Sequence, residues 1–182
     1  MIEVHSTVGE SHIGRIGLMI LNDEEEKMSY ANYKKAVEIM NKNKEKCHFI
    51  GERSNELIEK AEDVLGLKFS KIYKEFLINY GAGNYGSEEI LGVIDEDFEE
   101  SSVPDGIWYT LTEREEVDLP MNLVVIYEEG SGELFCLDFN SLNEEKEPIV
   151  VSYVPGENNK NQKYIKIADD FGDFLLQLVN AE

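Results

Sequence analysis

Cysteine is scarce in this sequence: Cys47 and Cys136 are the two in 182 residues. They form no CxxC pair, and a chain of this length needs no disulfide framework, so both read as reduced thiols of a cytoplasmic protein. Basic residues are also few. Against 38 Asp and Glu there are 17 Lys and Arg, a formal net charge of -21. Such a field repels nucleic acid and anionic lipid surfaces and speeds encounter with a cationic partner. The three histidines, His5, His12 and His48, are scattered, so no zinc set with Cys/His spacing can be assembled. Long apolar runs are missing. The short run Ile16–Leu21 is followed by acidic residues Asp23 to Glu26 rather than a small-residue cleavage site. It therefore reads neither as a signal peptide nor as a membrane helix, which needs about 20 apolar residues.

What is present suffices for a core. The chain is 42% hydrophobic and 10% aromatic, and a domain of about 150 residues buries roughly 70% of its unfolded surface. Residues 1–27 show no sustained period and read as a poorly ordered N-terminal extension, with Met28 as the start of the working domain, 28–182. From there Tyr33, Ala36, Val37 and Met40 share a helical face. Ser54 is placed to cap a second helix with the stripe Leu57, Ile58, Ala61, Val64 and Leu65, which stops at Gly66. Ser70 is placed to cap a third, burying Ile72, Tyr73, Phe76, Leu77 and Tyr80 and stopping at Gly81, where a left-handed residue is expected.

Beyond Gly86 the period becomes extended. Strands are predicted at Glu89–Ile94, Ile107–Leu111, Leu123–Tyr127, Leu134–Phe139, Ile149–Val154 and Tyr164–Ile167, with a hairpin at the glycines of EEGSGE, Gly130 and Gly132. Asp169 or Asp170 then opens a last helix carrying Phe171, Phe174, Leu175 and Leu178. The order of helices, sheet and helix predicts a single α+β domain, with a central, mostly antiparallel sheet and the C-terminal helix packed on it.

Chemistry is harder to find. The stretch GAGNYG follows a helix C-terminus, where the dipole disfavours phosphate, and no Gly-Lys-Ser/Thr is present, so it reads as a structural corner. DEDFEESSVPDG alternates Asp95, Asp97 and Glu99 like a calcium loop. However, Glu100 stands where that loop needs glycine and Gly106 where it needs a bidentate Glu. Cys47 and His48 are adjacent in sequence, whereas a nucleophile and its base normally converge from separate elements. No catalytic set, metal site or cofactor site is expected.

What remains are acidic segments, taken as loops, and aromatics. Asp95, Glu96, Asp97, Glu99 and Glu100 form one acidic loop, and Glu113, Glu115 and Glu116 lie in a second. Trp108 and Tyr109, as neighbours on the predicted strand, would face opposite sides, one into the core and one outward as a binding hot spot. These ten residues are the candidate partner-binding set.

Taken together, LGLKFSKIYKEFLINYGAGNYG, then EEILGV, GELFCLDFNSLNEEKEPIVV and IADDFGDFLLQLV, resemble the SMI1/KNR4 (SUKH) superfamily. Leu65-Gly66, Tyr73, Phe76-Leu77, Gly81 and Gly83, Leu91-Gly92, Cys136-Leu137-Asp138, Pro148-Ile149-Val150 and Phe171 with Phe174-Leu175 stand in that family's order. The family's leucine-proline step is Phe69-Ser70 here. The resemblance implies an α+β fold and, as for many bacterial members, an immunity protein: one that binds and occludes a cognate polymorphic toxin, a basic, nuclease-like domain, with no direct contact to nucleic acid or membrane. Other members are regulatory interaction proteins. It carries over no catalytic residue and implies that Asp138 is a structural acceptor near a strand end.

Overall fold

The computed structural model of the protein describes residues 28–157 and 161–182. The predicted extension over residues 1–27, with Ile16–Leu21, His5 and His12, lies outside the described residues. The order is α1 (Met28–Lys42), a short 3-10 turn, β1 (Cys47–Phe49), α2 (Asn55–Leu65), α3 (Lys71–Tyr80), β2 (Gly83–Tyr85), β3 (Glu88–Ile90), α4 (Gly106–Glu116), β4 (Leu123–Glu128), β5 (Leu134–Leu142), β6 (Pro148–Tyr153), β7 (Lys166–Ala168) and α5 (Phe171–Ala181). Every strand pair is antiparallel, in a three-stranded sheet β1-β2-β3 and a four-stranded sheet β4-β5-β6-β7. The α+β class holds.

The helix starts follow from their caps. Ser54 accepts a bond from the Leu57 amide at 3.2 Å, and Gly66 closes α2 in the left-handed region at φ 69. Asp170 caps α5 by accepting from the Asp173 amide at 2.9 Å. Ser70 occupies the cap position of α3, but its side chain makes no cap bond. Two carboxylates support that helix start instead. Buried Glu62 accepts from the Phe69 amide at 3.0 Å and pairs with Lys68 and Lys74, while Glu147 accepts from the Ile72 amide at 3.4 Å. Negative groups at a helix N-terminus complement its dipole, so the serine in place of the family's proline costs the fold little.

The four-stranded sheet is buried on both faces: successive strand residues point to opposite sides, and each side meets its own core. Val124, Ile126, Leu137 and Val150 join Tyr73, Phe76, Phe171 and Phe174 in the main core. Leu123, Val125, Cys136, Val151 and Tyr153 form a second core with Leu91 and Leu119. Two-faced burial explains why LVVI is an unbroken apolar run. Burial also pushes the Cys136 thiol pKa up.

Several expectations are corrected. The segment Ile107–Leu111 is helix α4, not a strand, because Asp105 caps it by accepting from the Ile107 and Trp108 amides at 2.9 and 3.0 Å. The strand placed at Glu89–Ile94 ends at Ile90, with one isolated bridge beyond it from Gly92 to Asp105, and the last strand runs Lys166–Ala168. The glycine corner after α3 holds strand β2, paired to β1 through Phe49 and Gly83. Gly81 has positive φ, 68, but its ψ of -89 lies outside the left-handed helical region. In the EEGSGE hairpin Gly132 takes a positive φ, and the Glu129 amide donates to the Glu133 carbonyl at 2.8 Å.

Candidate partner-binding surface

The acidic loop is a closed excursion. At its neck the Gly92 amide donates to the Pro104 carbonyl at 3.0 Å and the Gly106 amide to the Gly92 carbonyl at 2.7 Å. Phe98 is buried and anchors the middle, while Asp95, Glu96, Asp97, Glu99 and Glu100 are exposed. Loops closed at the neck and pinned by their own side chains present a defined surface. The short acids shape the turn. One Asp95 oxygen accepts from the Asp97 amide at 2.9 Å, and one Asp97 oxygen accepts from the Glu99 and Glu100 amides at 3.3 and 2.9 Å. Glu99 and Glu100 are thereby fixed at the backbone.

Helix α4 follows directly. Thr110 donates to the Gly106 carbonyl of its own helix at 2.6 Å and locks α4 to the sheet by accepting from the Val125 amide at 2.9 Å. Ile107 enters the core, and Trp108 and Tyr109 are both half-buried. Neighbours on a helix sit about 100° apart rather than on opposite faces, so the expected division into one core ring and one outward ring does not occur. Their rings stack at 6.0 Å, and the Tyr109 hydroxyl donates to Glu128 at 2.9 Å. Glu128 is an exposed carboxylate that joins the surface without having been singled out.

Glu113 departs from its expected place. It is 8% exposed, on the inward face of α4, with one carboxylate oxygen lacking any hydrogen-bond partner. Burial first, then the carboxylates of Glu116 and Glu128, push its pKa up. The folded state therefore holds its proton to higher pH than the unfolded state, and stability falls as pH rises from the unfolded value, about 4.3, through the raised folded one. Glu113→Gln is expected to remove that fall and to be more stable at pH 7 by about 1 kcal/mol, because the amide carries no charge to desolvate and one pKa unit is worth about 1.4 kcal/mol. Denaturant melts of both proteins from pH 4 to 8 check this, and parallel pH profiles would count against it. Glu115 and Glu116 are exposed.

Two contacts extend the surface onto α2. Lys60 pairs with Glu96, and Arg114 donates to the Leu65 and Met121 carbonyls at 3.0 and 2.8 Å. Lys60 shares the outer face of α2 with Glu56 and Asp63 at helical spacing, so this ion pair brings exposed Glu56, Glu59 and Asp63 beside the loop. Sequence reading missed these three because acids on the outer face of an amphipathic helix look the same whether or not they face a partner.

Other candidate chemistry stays apart. Cys47 is half-buried, its Sγ donating to the Met40 carbonyl at 3.4 Å, while His48 is exposed on the other side of β1. Asp138 accepts from the Asn122 side chain at 2.6 Å and the Asn140 amide at 2.9 Å, the structural acceptor expected of it. Among the described residues no three of His, Cys, Asp and Glu converge as metal ligands, and no helix is long and apolar enough to cross a membrane.

With this geometry in place, comparison with known proteins is informative. A family model described as "SMI1-KNR4 cell-wall" (SUKH_5) matches residues 33–180. No curated protein matches. Among solved structures, the chain is similar to one titled as a crystal structure of a protein from Pseudomonas syringae pv. tomato. The two are 19% identical with a TM-score of 0.48, over 63% of this chain and 80% of that one. The family match spans most of the sequence, and the chain belongs to the SMI1-KNR4 family.

Proposed function

We propose, with membership of the SMI1-KNR4 family as the premise, that this protein is an immunity protein which binds the toxic domain of a cognate polymorphic toxin in the cytoplasm and covers its active site. The observation that supports the reading is the run of exposed carboxylates from α2 through the neck-closed loop to α4, on a chain with a net charge of -21. A nuclease presents Lys and Arg where it holds a phosphate backbone. Carboxylates on a loop held by its own hydrogen bonds offer the complementary charge with little ordering cost. Binding would occlude the nuclease sterically, with the acids standing where phosphates would lie. The half-buried Trp108 and Tyr109 pair is the aromatic element of this interface, since such rings at the centre of an acidic rim give most energy per residue.

The test is co-expression with the C-terminal domain of a toxin-like protein encoded beside this one, together with binding of the purified pair. Growth rescue and tight one-to-one binding are expected. Absence of both, with stable binding to housekeeping proteins instead, would replace this reading with that of a regulatory interaction scaffold.

A further inference from the structure

A separate cavity lies between α1 and α3, on a different surface from the acidic loop, and no motif in the sequence pointed to it. Tyr30, Tyr33, Lys34, Val37 and Glu38 line it from α1, and Glu75, Asn79 and Tyr80 line it from α3. Its volume is about 230 Å³, room for one long side chain rather than for a cofactor. Three rings and an aliphatic residue give it apolar walls, and two carboxylates and Lys34 stand at those walls.

The chemistry at one end is already in use. The Lys34 and Lys71 ammonium groups lie 5.0 and 4.6 Å from the centre of the Tyr30 ring, and the Tyr30 hydroxyl donates to Glu75 at 3.1 Å. A tyrosine face beside a carboxylate thus holds alkylammonium groups in this protein. Lys34 also lines the cavity but is held over Tyr30, and at the other end the rings carry no cation. Among the described residues none lies over Tyr33 or Tyr80. Tyr33 is 2% exposed, and its hydroxyl has no hydrogen-bond partner within bonding geometry. The neighbouring Asn79 amide instead donates to the Glu75 carbonyl at 2.9 Å. Burial, with Glu75 and Tyr80 close by, pushes the Tyr33 pKa up, so the group stays a neutral hydroxyl. Buried hydroxyls are normally paired, and an orphan at the floor of a cavity calls for a donor.

We propose that this cavity is a cation-accepting pocket that takes one lysine-like side chain presented by a protein partner: the aliphatic stem against Val37 and the tyrosine rings, and the cationic head among Tyr33, Glu38 and Glu75. Aromatic faces with carboxylates recognise such groups by combined cation–π and ionic attraction, and the charge of the whole protein favours partners that carry them. The inference goes beyond the immunity reading. It specifies an anchor on another surface and would stand with any basic partner, so its failure leaves the acidic loop's role untouched.

The test uses the full chain, followed by NMR while it is titrated with n-butylammonium chloride, n-propylguanidinium chloride and neutral 1-pentanol at matched chloride. Saturable shifts confined to signals of Tyr33, Val37, Asn79 and Tyr80 are expected with a cation. The alcohol should bind about tenfold more weakly, the scale set by one desolvated cation–π contact. The two salts decide whether ammonium or guanidinium is preferred. The double variant Glu38→Gln, Glu75→Gln should lose a similar factor. Tyr33→Phe should weaken binding while leaving the melting temperature unchanged or higher, since it deletes an unpaired hydroxyl. Equal affinity for the alcohol, or shifts unaffected by these substitutions, would overturn the proposal.

Discussion

Gly83→Ala should lower the stability of this protein by at least about 3 kcal/mol, a large share of the total for a domain of this size. The expectation follows from backbone contact. Gly83 pairs with Phe49 between β1 and β2 and has a φ of +143, a conformation closed to side chains. A Cβ added there would sit 2.7 Å from the Phe49 Cα and closer still to the His48 carbonyl oxygen. Neither atom can step aside as a flexible side chain can, so β1 must separate from β2 or the strand must rotate. The matched control is Gly130→Ala in the hairpin loop, where an added Cβ meets nothing within 4 Å and the change should stay within about 0.5 kcal/mol. Urea melts read both. If the two variants shift the midpoint equally, the close approach of these strands is not what holds the corner.

The second large effect concerns the acidic surface. Asp95 and Asp97 support their own loop and Glu96 is paired with Lys60, so reversing those would alter structure as well as charge. Glu99, Glu100, Glu115 and Glu116 are exposed and can be changed to lysine with the loop's own hydrogen bonds kept. The fourfold variant should bind its basic partner at least about 100-fold more weakly at low salt, largely through a slower on-rate, as expected when steering charges change sign. The gap should narrow as salt rises toward 1 M, where the screening length shrinks to about 3 Å. Association rates measured across a salt series check this, alongside a melt to confirm the fold. Unchanged rates at low salt would move the interface elsewhere on the molecule.

The fold was largely readable where a period persists. Helices α1, α2, α3 and α5 carry apolar stripes at helical spacing, β4 and β6 are β-branched runs, and β5 opens on the apolar run LFCL after a turn. Gly66 and Asp170 act as the sequence suggests. What failed was short or ambiguous. The strands β1 and β2 have three residues each, too few for alternation to register, and β2 lies inside a glycine-rich stretch. Helix α4 was misread because Ile-Trp-Tyr-Thr-Leu is strand-like in composition. The Asp105 cap, a local signal that the strand-like composition masked, and the bond from the Val125 amide to Thr110, which depends on chain brought together by folding, override that preference.

The site was legible in charge and not in placement. Asp95 to Glu100 lie where a loop was expected, whereas Glu113, Glu115 and Glu116, also expected in a loop, lie on α4. Sequence alone could not tell that Glu113 turns inward, since that follows from α4 being a helix against the second core. Nor could it separate Glu56, Glu59 and Asp63 from ordinary solvated acids, because only the Lys60–Glu96 pair places them beside the loop. The tyrosine pocket between α1 and α3 was invisible for a similar reason: in sequence its rings read only as core-facing positions.

The most direct test of the central claim is to titrate this protein into the purified toxic domain encoded beside it and follow that domain's enzymatic activity. Immunity by occlusion predicts a linear loss of activity that ends at one equivalent, with substrate excluded from the complex. A complex that forms and remains fully active would contradict it.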